Sequence, residues 1–108
     1  MSNVAGFVSG VAGVNNGDVL ATMDDVTSFD TFMFATAAGA ADVFIRLNTT
    51  TWIGPIALND LNDTVNDPVI VMAASKLYGL RGKFRQLQVR QNGGTAATGL
   101  TISYGTMS

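Results

Sequence analysis

The side chains in this sequence that could do acid–base or metal chemistry are almost all aspartates. The chain of 108 residues holds eight acidic residues, all of them Asp, and it contains no His, Cys or Glu. Serine and cysteine hydrolases rely on a histidine base, so sites of that kind are excluded. Ser9 lies in the sequence GFVSG, which does not match the G-x-S-x-G turn that presents a nucleophile.

Asp24 and Asp25 are the adjacent pair of carboxylates in the chain. Neighbouring residues of a strand point to opposite faces, whereas two acid–base partners must face the same substrate. We therefore interpret the pair as part of a solvated turn. Because so few groups could transfer a proton, we expect that the protein is not an enzyme.

A polar segment at residues 59–68, NDLNDTVNDP, invites a calcium interpretation. Its aspartates are Asp60, Asp63 and Asp67. A loop of the EF-hand type counted from the first of them fails, because Val65 replaces the turn glycine and Val71 replaces the bidentate glutamate. Asn and Asp also form ordinary turns through their own side chains. We predict no metal and no cofactor, and these aspartates remain weak candidate ligands.

Trp52 is the single tryptophan, and it lies in the sequence TTTWIGPIAL at residues 49–58. Pro55 cannot donate to a sheet ladder, so the segment is an edge strand or two short strands with a bulge at Gly54. A tryptophan in such a segment usually packs in a core or an interface. The alternative is a stacking platform for a sugar ring, which would need polar groups close by.

Charge is scarce and unevenly distributed. Charged residues make up 13% of the chain, against about 25% in typical domains. Interface cores are depleted in charge, so this composition favours burial of surface against other subunits, with a coat of uncharged polar residues as the alternative. The net charge is −2. A nucleic-acid-binding domain would be strongly basic, so we expect no nucleic-acid partner.

The basic residues gather in the C-terminal third. Residues 1–70 hold all eight aspartates and one cation, Arg46. The other cations are Lys76, Arg81, Lys83, Arg85 and Arg90. An exposed basic strip at residues 81–85 would suit contact with an acidic partner protein, and solvated strand ends are the alternative.

The elements that must position these residues are strands. Thr, Val, Asn and Gly are plentiful and strong helix formers are few, which indicates an all-β chain. Residues 1–16 are apolar and glycine-rich, lack the positive start of a signal peptide and are too short to span a membrane. We interpret them as an N-terminal arm or first strand, followed by one domain at residues 17–108, and we expect no membrane partner.

Two strand pairs are predicted from alternation and turns. Residues 29–38 and 41–48 could pair around Gly39, and residues 79–105 read as a hairpin around Asn92 and Gly93. In the favoured register of the hairpin, Val89 lies opposite Leu100. The residues expected to face the core are Val43, Ile45, Leu47, Val69, Val71, Leu87, Val89, Leu100 and Ile102.

The segment YGLRGKFRQLQVRQNGGTAATGLTISYG, residues 78–105, resembles the C-terminal part of small all-β virion proteins of tailed phages. Those proteins often end in a strand of the form G-x-F/Y-R-x-L/I-x-V, a Gly/Thr loop and a last alternating strand. The matching positions here are Gly82, Phe84, Arg85, Leu87 and Val89, then Leu100, Ile102 and Tyr104. The sequence TWIGPI at residues 51–56 also looks like a strand of such proteins.

The resemblance implies a single jelly-roll β-sandwich of about eight antiparallel strands with an N-terminal arm. It further implies a capsid decoration, or cement, protein, a homotrimer that binds the major capsid protein on the assembled head and stabilises the shell. Such a protein is located on the capsid surface of the virion, after assembly in the host cytoplasm. The expected capsid or subunit contacts are Val4, Phe7, Val8, Arg81, Lys83 and Arg85. The alternative function is a receptor- or carbohydrate-binding module of a tail fibre or tailspike, with Trp52 as its stacking residue.

Overall fold

The computed structural model describes residues 2–47, 51–62 and 67–107, and these residues form strands and connections without a helix. The strands are β1 Ser2–Ser9, β2 Val19–Met23, β3 Thr31–Ala35, β4 Ala40–Arg46, β5 Leu58–Asp60, β6 Pro68–Val69, β7 Leu77–Arg81, β8 Gln86–Asn92 and β9 Thr101–Met107. No helix in this part of the chain is long and apolar enough to cross a membrane. The all-β prediction is confirmed.

The strands build two antiparallel sheets. The larger has six strands in the order β1-β9-β3-β7-β5-β6, and the smaller has three in the order β2-β8-β4. The two sheets enclose one apolar core, which confirms the predicted β-sandwich. The jelly-roll connectivity stays a prediction.

Alternating side chains explain why these segments are strands. In β3, Phe32 and Phe34 are fully buried, while the residues between and beside them are only partly covered. In β8, Leu87 and Val89 are fully buried in the core, and Gln88 between them is covered on the opposite face by Thr22 and Arg90. Each such apolar side chain contributes about 1.5–3 kcal/mol when it leaves water, so the alternation fixes which face of each strand turns to the core.

Most of the predicted core is confirmed. Its buried members are Val43, Ile45, Leu87, Val89, Leu100 and Ile102, and Val69 is half-buried and packs against them. The prediction that Leu47 and Val71 face the core is wrong, because 49% and 37% of their surfaces are exposed. Leu47 lies beyond the end of β4, and Val71 follows β6 in a bend where Met72 turns inward instead.

The predicted hairpin at residues 79–105 is wrong. β8 pairs with β2 and β4, whereas β9 pairs with β1 and β3 in the other sheet. Val89 and Leu100 therefore share the core from opposite sheets instead of lying side by side. Alternation specifies which face is apolar, and the loop between the two strands is long enough to cross from one sheet to the other.

The predicted pair formed by residues 29–38 and 41–48 is wrong for the same reason. β3 lies in the six-stranded sheet and β4 in the three-stranded sheet. Gly39 turns the chain between them with a φ of 75°, and a Cβ atom there would lie 2.6 Å from the Ala97 Cα. The turn therefore requires glycine, and it carries the chain across the sandwich instead of back along it.

The N-terminal segment is a strand of the same sandwich. Residues 2–9 pair with β9, with a bulge between Val4 and Gly6. Residues 10–17 then cross to the three-stranded sheet and pass close to the core. At Gly13, a Cβ atom would overlap the Gln91 Oε1 and lie 2.8 Å from the Leu20 Cδ2, so a side chain here would have to displace the buried Gln91 side chain.

Candidate functional site

Among the acidic candidates, Asp60 serves as a turn residue. The Asp60 carboxylate accepts hydrogen bonds from the Asn62 backbone N–H at 2.9 Å and from the Asn62 side-chain amide at 2.6 Å. These bonds, with a smaller contribution from the charge of Lys76, lower the pKa of Asp60. The Asp60 N–H donates to the Asp67 carbonyl oxygen at 3.1 Å. Asp63 lies outside the described residues, and the described residues contain no group of three acidic side chains that could hold a metal ion.

Asp25 also stabilises a turn through its side chain. Its carboxylate accepts the Thr27 hydroxyl at 2.6 Å and the Thr27 backbone N–H at 3.1 Å. These two bonds lower the pKa of Asp25, and the nearby charge of Arg85 adds a smaller effect. Asp24 and Asp25 are both exposed between β2 and β3, in agreement with the interpretation as a solvated turn.

The basic strip is divided by the fold. Lys83 and Arg85 are both exposed and line an open pocket of about 290 Å³, together with Thr27, Leu47 and Phe84. Phe84 turns inward, 6.1 Å from the Phe32 ring centroid, and Leu87 turns inward again, so the face changes within residues 84–87. Arg81 does not line this pocket. It lies on β7 opposite Thr31, on the outer face of the six-stranded sheet.

Trp52 lies against the outer face of the three-stranded sheet. The Arg46 guanidinium sits over its ring, with the Cζ atom 4.4 Å from the ring centroid. The same side chain donates from Nε to the Gln86 Oε1. One face of the tryptophan ring is thus covered by the protein itself, which leaves less of it for a sugar than the stacking alternative requires.

The rest of this outer face is also bonded to itself. The Arg90 Cζ lies 3.9 Å from the Phe44 ring centroid, and Arg90 Nε donates to the Gln88 Oε1 at 2.6 Å. Gln88 Nε2 donates to the Thr22 hydroxyl at 3.0 Å. Gly54 packs against Phe44, where a Cβ atom would lie 2.7 Å from the ring. The result is a prearranged polar face in which aromatic rings and amides already have partners.

This network was not predicted from the sequence, although its signal is present there. The outward positions of β4 and β8 carry polar or aromatic side chains in strict alternation with the core residues. They are Asp42, Phe44, Arg46, Gln86, Gln88, Arg90 and Asn92. Reading the outward parity of these strands as carefully as the inward parity would have placed the residues on one face.

A different kind of surface lies at the β1 edge of the six-stranded sheet. Phe7 exposes 68% of its surface, whereas Val8 is half-buried and packs against the core. Val11 and Val14 in the following crossover expose 65% and 69%. Residues 2–17 contain no charged side chain. We call residues 2–17 the open side of the sandwich.

The six predicted contact residues therefore lie in three separate places. Val4, Phe7 and Val8 lie on β1, Arg81 lies on the outer face of the same sheet, and Lys83 and Arg85 rim the pocket. For Val4 only the backbone position, opposite Gly105, is described. The structure does not join the apolar strand and the basic strip into one continuous surface.

These features define a class of protein, a β-sandwich of two sheets. Many of its described polar side chains form hydrogen bonds within turns or across the outer face of a sheet. No protein-family model matches the chain, and no curated protein matches it. Among solved structures, it is similar to that of the SPBc2 prophage-derived protein YomS, with a TM-score of 0.73. The likeness covers 97% of this chain and 95% of that chain at 4% sequence identity, so it shows a shared fold.

Proposed function

We propose that this chain is a bacteriophage structural protein that decorates the assembled head. The observation that carries the proposal is the fold, which is shared along nearly the whole chain with a prophage-derived protein. The resemblance of residues 78–105 to small virion proteins of tailed phages points in the same direction. One fold can carry many functions, so the proposal also rests on the surface of the protein and is tested by binding to heads.

The proposed protein acts as a homo-oligomer, a trimer by the family resemblance, and binds the major capsid protein. The exposed apolar residues of the open side and the low content of charge support a surface made for protein contacts. A protein that binds the assembled shell in preference to its free subunits stabilises the shell by mass action. Several linked copies bind far more tightly than one.

Two surfaces and one separate residue are proposed to make these contacts. The open side, with Phe7, Val8 and Val4, offers an apolar strand for a subunit or capsid contact. The pocket rim, with Lys83 and Arg85, offers positive charge beside the apolar Phe84 and Leu47. A combination of an apolar floor and a charged rim fits an acidic segment of a capsid subunit. Arg81, on the outer face, is a separate proposed contact.

Co-sedimentation with purified heads tests the proposal. The chain is mixed with assembled heads, with tails and with unassembled capsid protein of the phage that encodes it. We expect saturable binding to heads alone, and we expect Lys83→Ala to weaken that binding about tenfold, which corresponds to about 1.4 kcal/mol. The matched control is Lys76→Ala, which removes the same exposed charge away from the pocket.

Three outcomes would contradict parts of this proposal. Binding to tails in place of heads would contradict decoration. Equal loss of binding in Lys83→Ala and Lys76→Ala would mean that only the overall charge matters, not the pocket. Binding to host glycans that is lost in Trp52→Ala, with no binding to heads, would favour the receptor-binding alternative instead.

A further inference from the structure

We propose that β1 pairs in antiparallel fashion with β1 of a second copy of this chain, so that two six-stranded sheets join into one continuous sheet. The proposal concerns the open side, residues 2–17. It deepens the proposed function by naming a self-association surface, and it rests on that function only for the expectation that the protein is an oligomer.

The other sheet edges are either short or at least partly covered. β6, at the far edge of the six-stranded sheet, has two residues and begins with Pro68, which cannot donate. The outer edge of β4 is covered, because Ile53 and Ile45 exchange both backbone hydrogen bonds, at 2.8 and 2.9 Å. The outer edge of β2 is covered in part, because the Val11 N–H donates to the Leu20 carbonyl oxygen at 2.8 Å.

β1 differs from these edges. It is eight residues long, it has β9 on one side, and no strand of the described chain lies on its other side. It contains neither Lys nor Pro, the residues that commonly protect an edge from pairing with another chain. A long and uncharged edge of this kind is a template for strand addition.

The groups that would bind the second copy follow from the ladder. Residues of an antiparallel pair alternate between those that exchange hydrogen bonds with the partner and those that point away. The Gly10 N–H donates to the Leu100 carbonyl oxygen at 2.9 Å, and Ser9 lies opposite Thr101. The backbone N–H and C=O groups of Phe7 and Ser9 therefore point away from β9, toward the open edge.

A second copy of this chain is the occupant that fits best. A strand that pairs antiparallel with its own copy forms a twofold contact in which both partners offer the same groups. Residues 2–17 carry no charge, so two copies meet without repulsion, and a charged partner would find no complement here. Phe7, Val11 and Val14 are the three most exposed large apolar side chains described, and they all lie on this side.

The test is the solution mass of the full chain by light scattering over a wide range of concentrations. We expect a mass of twice the 11.3 kDa chain, or a multiple of that pair, in place of the trimer that the family resemblance implies, with dissociation on dilution. Phe7→Lys places a charge at the edge, and we expect it to weaken the pairing at least tenfold. The control is Leu77→Lys, which adds the same charge at an exposed position of β7, an interior strand of the same sheet.

A second variant probes the backbone directly. Ser9→Pro removes one N–H that points to the open edge and leaves the Gly10 bond to Leu100 in place. We expect weaker self-association in this variant as well. Thermal unfolding of each variant at low concentration shows whether the monomer is still folded. An unfolded Ser9→Pro leaves Phe7→Lys, at a position that is mostly exposed, as the deciding variant.

The outcomes separate this inference from the proposed function. A monomer at concentrations up to about 1 mM overturns both the β1 pairing and the oligomeric part of the proposed function. A trimer that Phe7→Lys leaves intact overturns the β1 pairing alone and leaves head decoration standing. A dimer that Phe7→Lys dissociates, but that binds no heads, supports the pairing and overturns the decoration proposal.

Discussion

The two sheets of this sandwich complete their surfaces in different ways. On the three-stranded sheet, the outer edge of β4 is covered by Ile53, and outward side chains such as Arg90 and Gln88 bond to each other. On the six-stranded sheet, no described strand lies on the outer side of β1, and Phe7 is exposed. A surface whose groups already have partners gains little from another molecule. The difference therefore supports the proposal that a partner approaches the open side, whereas the three-stranded sheet faces solvent.

The largest effect is expected from two identical substitutions, one inside the sandwich and one on the open side. Phe34 in β3 is fully buried, so Phe34→Ala removes a ring from the core and should lower the free energy of unfolding by about 3–5 kcal/mol. Phe7→Ala, at a position that is 68% exposed, should change the stability of the monomer by less than about 0.5 kcal/mol. Urea unfolding at low protein concentration measures both.

In an assay of self-association, the order of the two effects should be reversed. Phe7→Ala should weaken self-association, whereas Phe34→Ala should do so only as far as it unfolds the chain. If Phe7→Ala instead destabilises the monomer by several kcal/mol, the ring has an internal role and the comparison between the two sides fails.

The next effect concerns two glutamines of β8 on opposite faces. Gln91 is buried, donates from Nε2 to the carbonyl oxygens of Val14 and Gly93 at 3.2 and 2.9 Å, and accepts the Ala97 N–H at 3.0 Å. Gln91→Leu leaves the buried Ala97 N–H without an acceptor, so we expect a loss of about 3 kcal/mol. Gln88→Leu, on the outer face, should cost about 1 kcal/mol through its bonds to Thr22 and Arg90.

Chemical unfolding of both variants checks the order of these losses. Equal losses would mean that the outer network contributes as much as the buried glutamine that holds the crossover to the core. A larger loss in Gln88→Leu would contradict the assignment of Gln91 as the main polar support of the open side.

Gln91 also shows what could and could not be predicted from the sequence. Periodicity placed Val89 and Leu87 on the inward face, and Gln91 shares their parity, although it was not among the residues predicted to face the core. What it lacked was the reason for a buried glutamine. That reason is the crossover at residues 10–17, where Gly13 leaves space for the Gln91 side chain. This contact depends on which strands become neighbours in the fold.

The main error in the prediction from sequence was the assignment of strands to sheets, and it has the same physical cause. Side-chain alternation repeats with a period of two in every strand, so it fixes the core face and says nothing about the neighbouring strand. The segments before β4 and before β9 both looked like hairpin turns. Gly39 in fact carries the chain from one sheet to the other, which only contacts distant in sequence decide.

The surface positions of the candidate contacts were predicted in part, and their role as contacts stays a prediction. The apolar N-terminal residues do include an exposed ring at Phe7, and the basic residues Lys83 and Arg85 do lie together on the surface. The open edge of β1 was beyond sequence reasoning, because an edge exists only when the order of the strands is known. The same is true of Trp52, whose environment depends on Arg46 of a neighbouring strand.

The smallest expected effect is the pH dependence of the crossover that forms part of the open side. The Asp18 carboxylate accepts the backbone N–H groups of Asn15 at 2.8 Å and Val14 at 3.0 Å. These bonds, that of Asn15 first, hold the pKa of Asp18 below its ordinary value of 3.8, and desolvation opposes them weakly. A lowered pKa in the folded state means that the contribution to stability is complete above the ordinary value.

This contribution is lost as the pH falls through the lowered pKa of the folded chain, so Asp18→Asn should reduce Tm slightly near pH 6 and the difference should close toward about pH 2. Asp24→Asn removes the same charge from the exposed β2–β3 connection, and subtracting its effect corrects for the change in net charge. If the two variants have the same Tm at each pH, the bonds from Asp18 do not stabilise the crossover. Asp18 and Gln91 both form a hydrogen bond to the Val14 backbone. In that case only the bond from Gln91 would hold Val14 in its position on the open side.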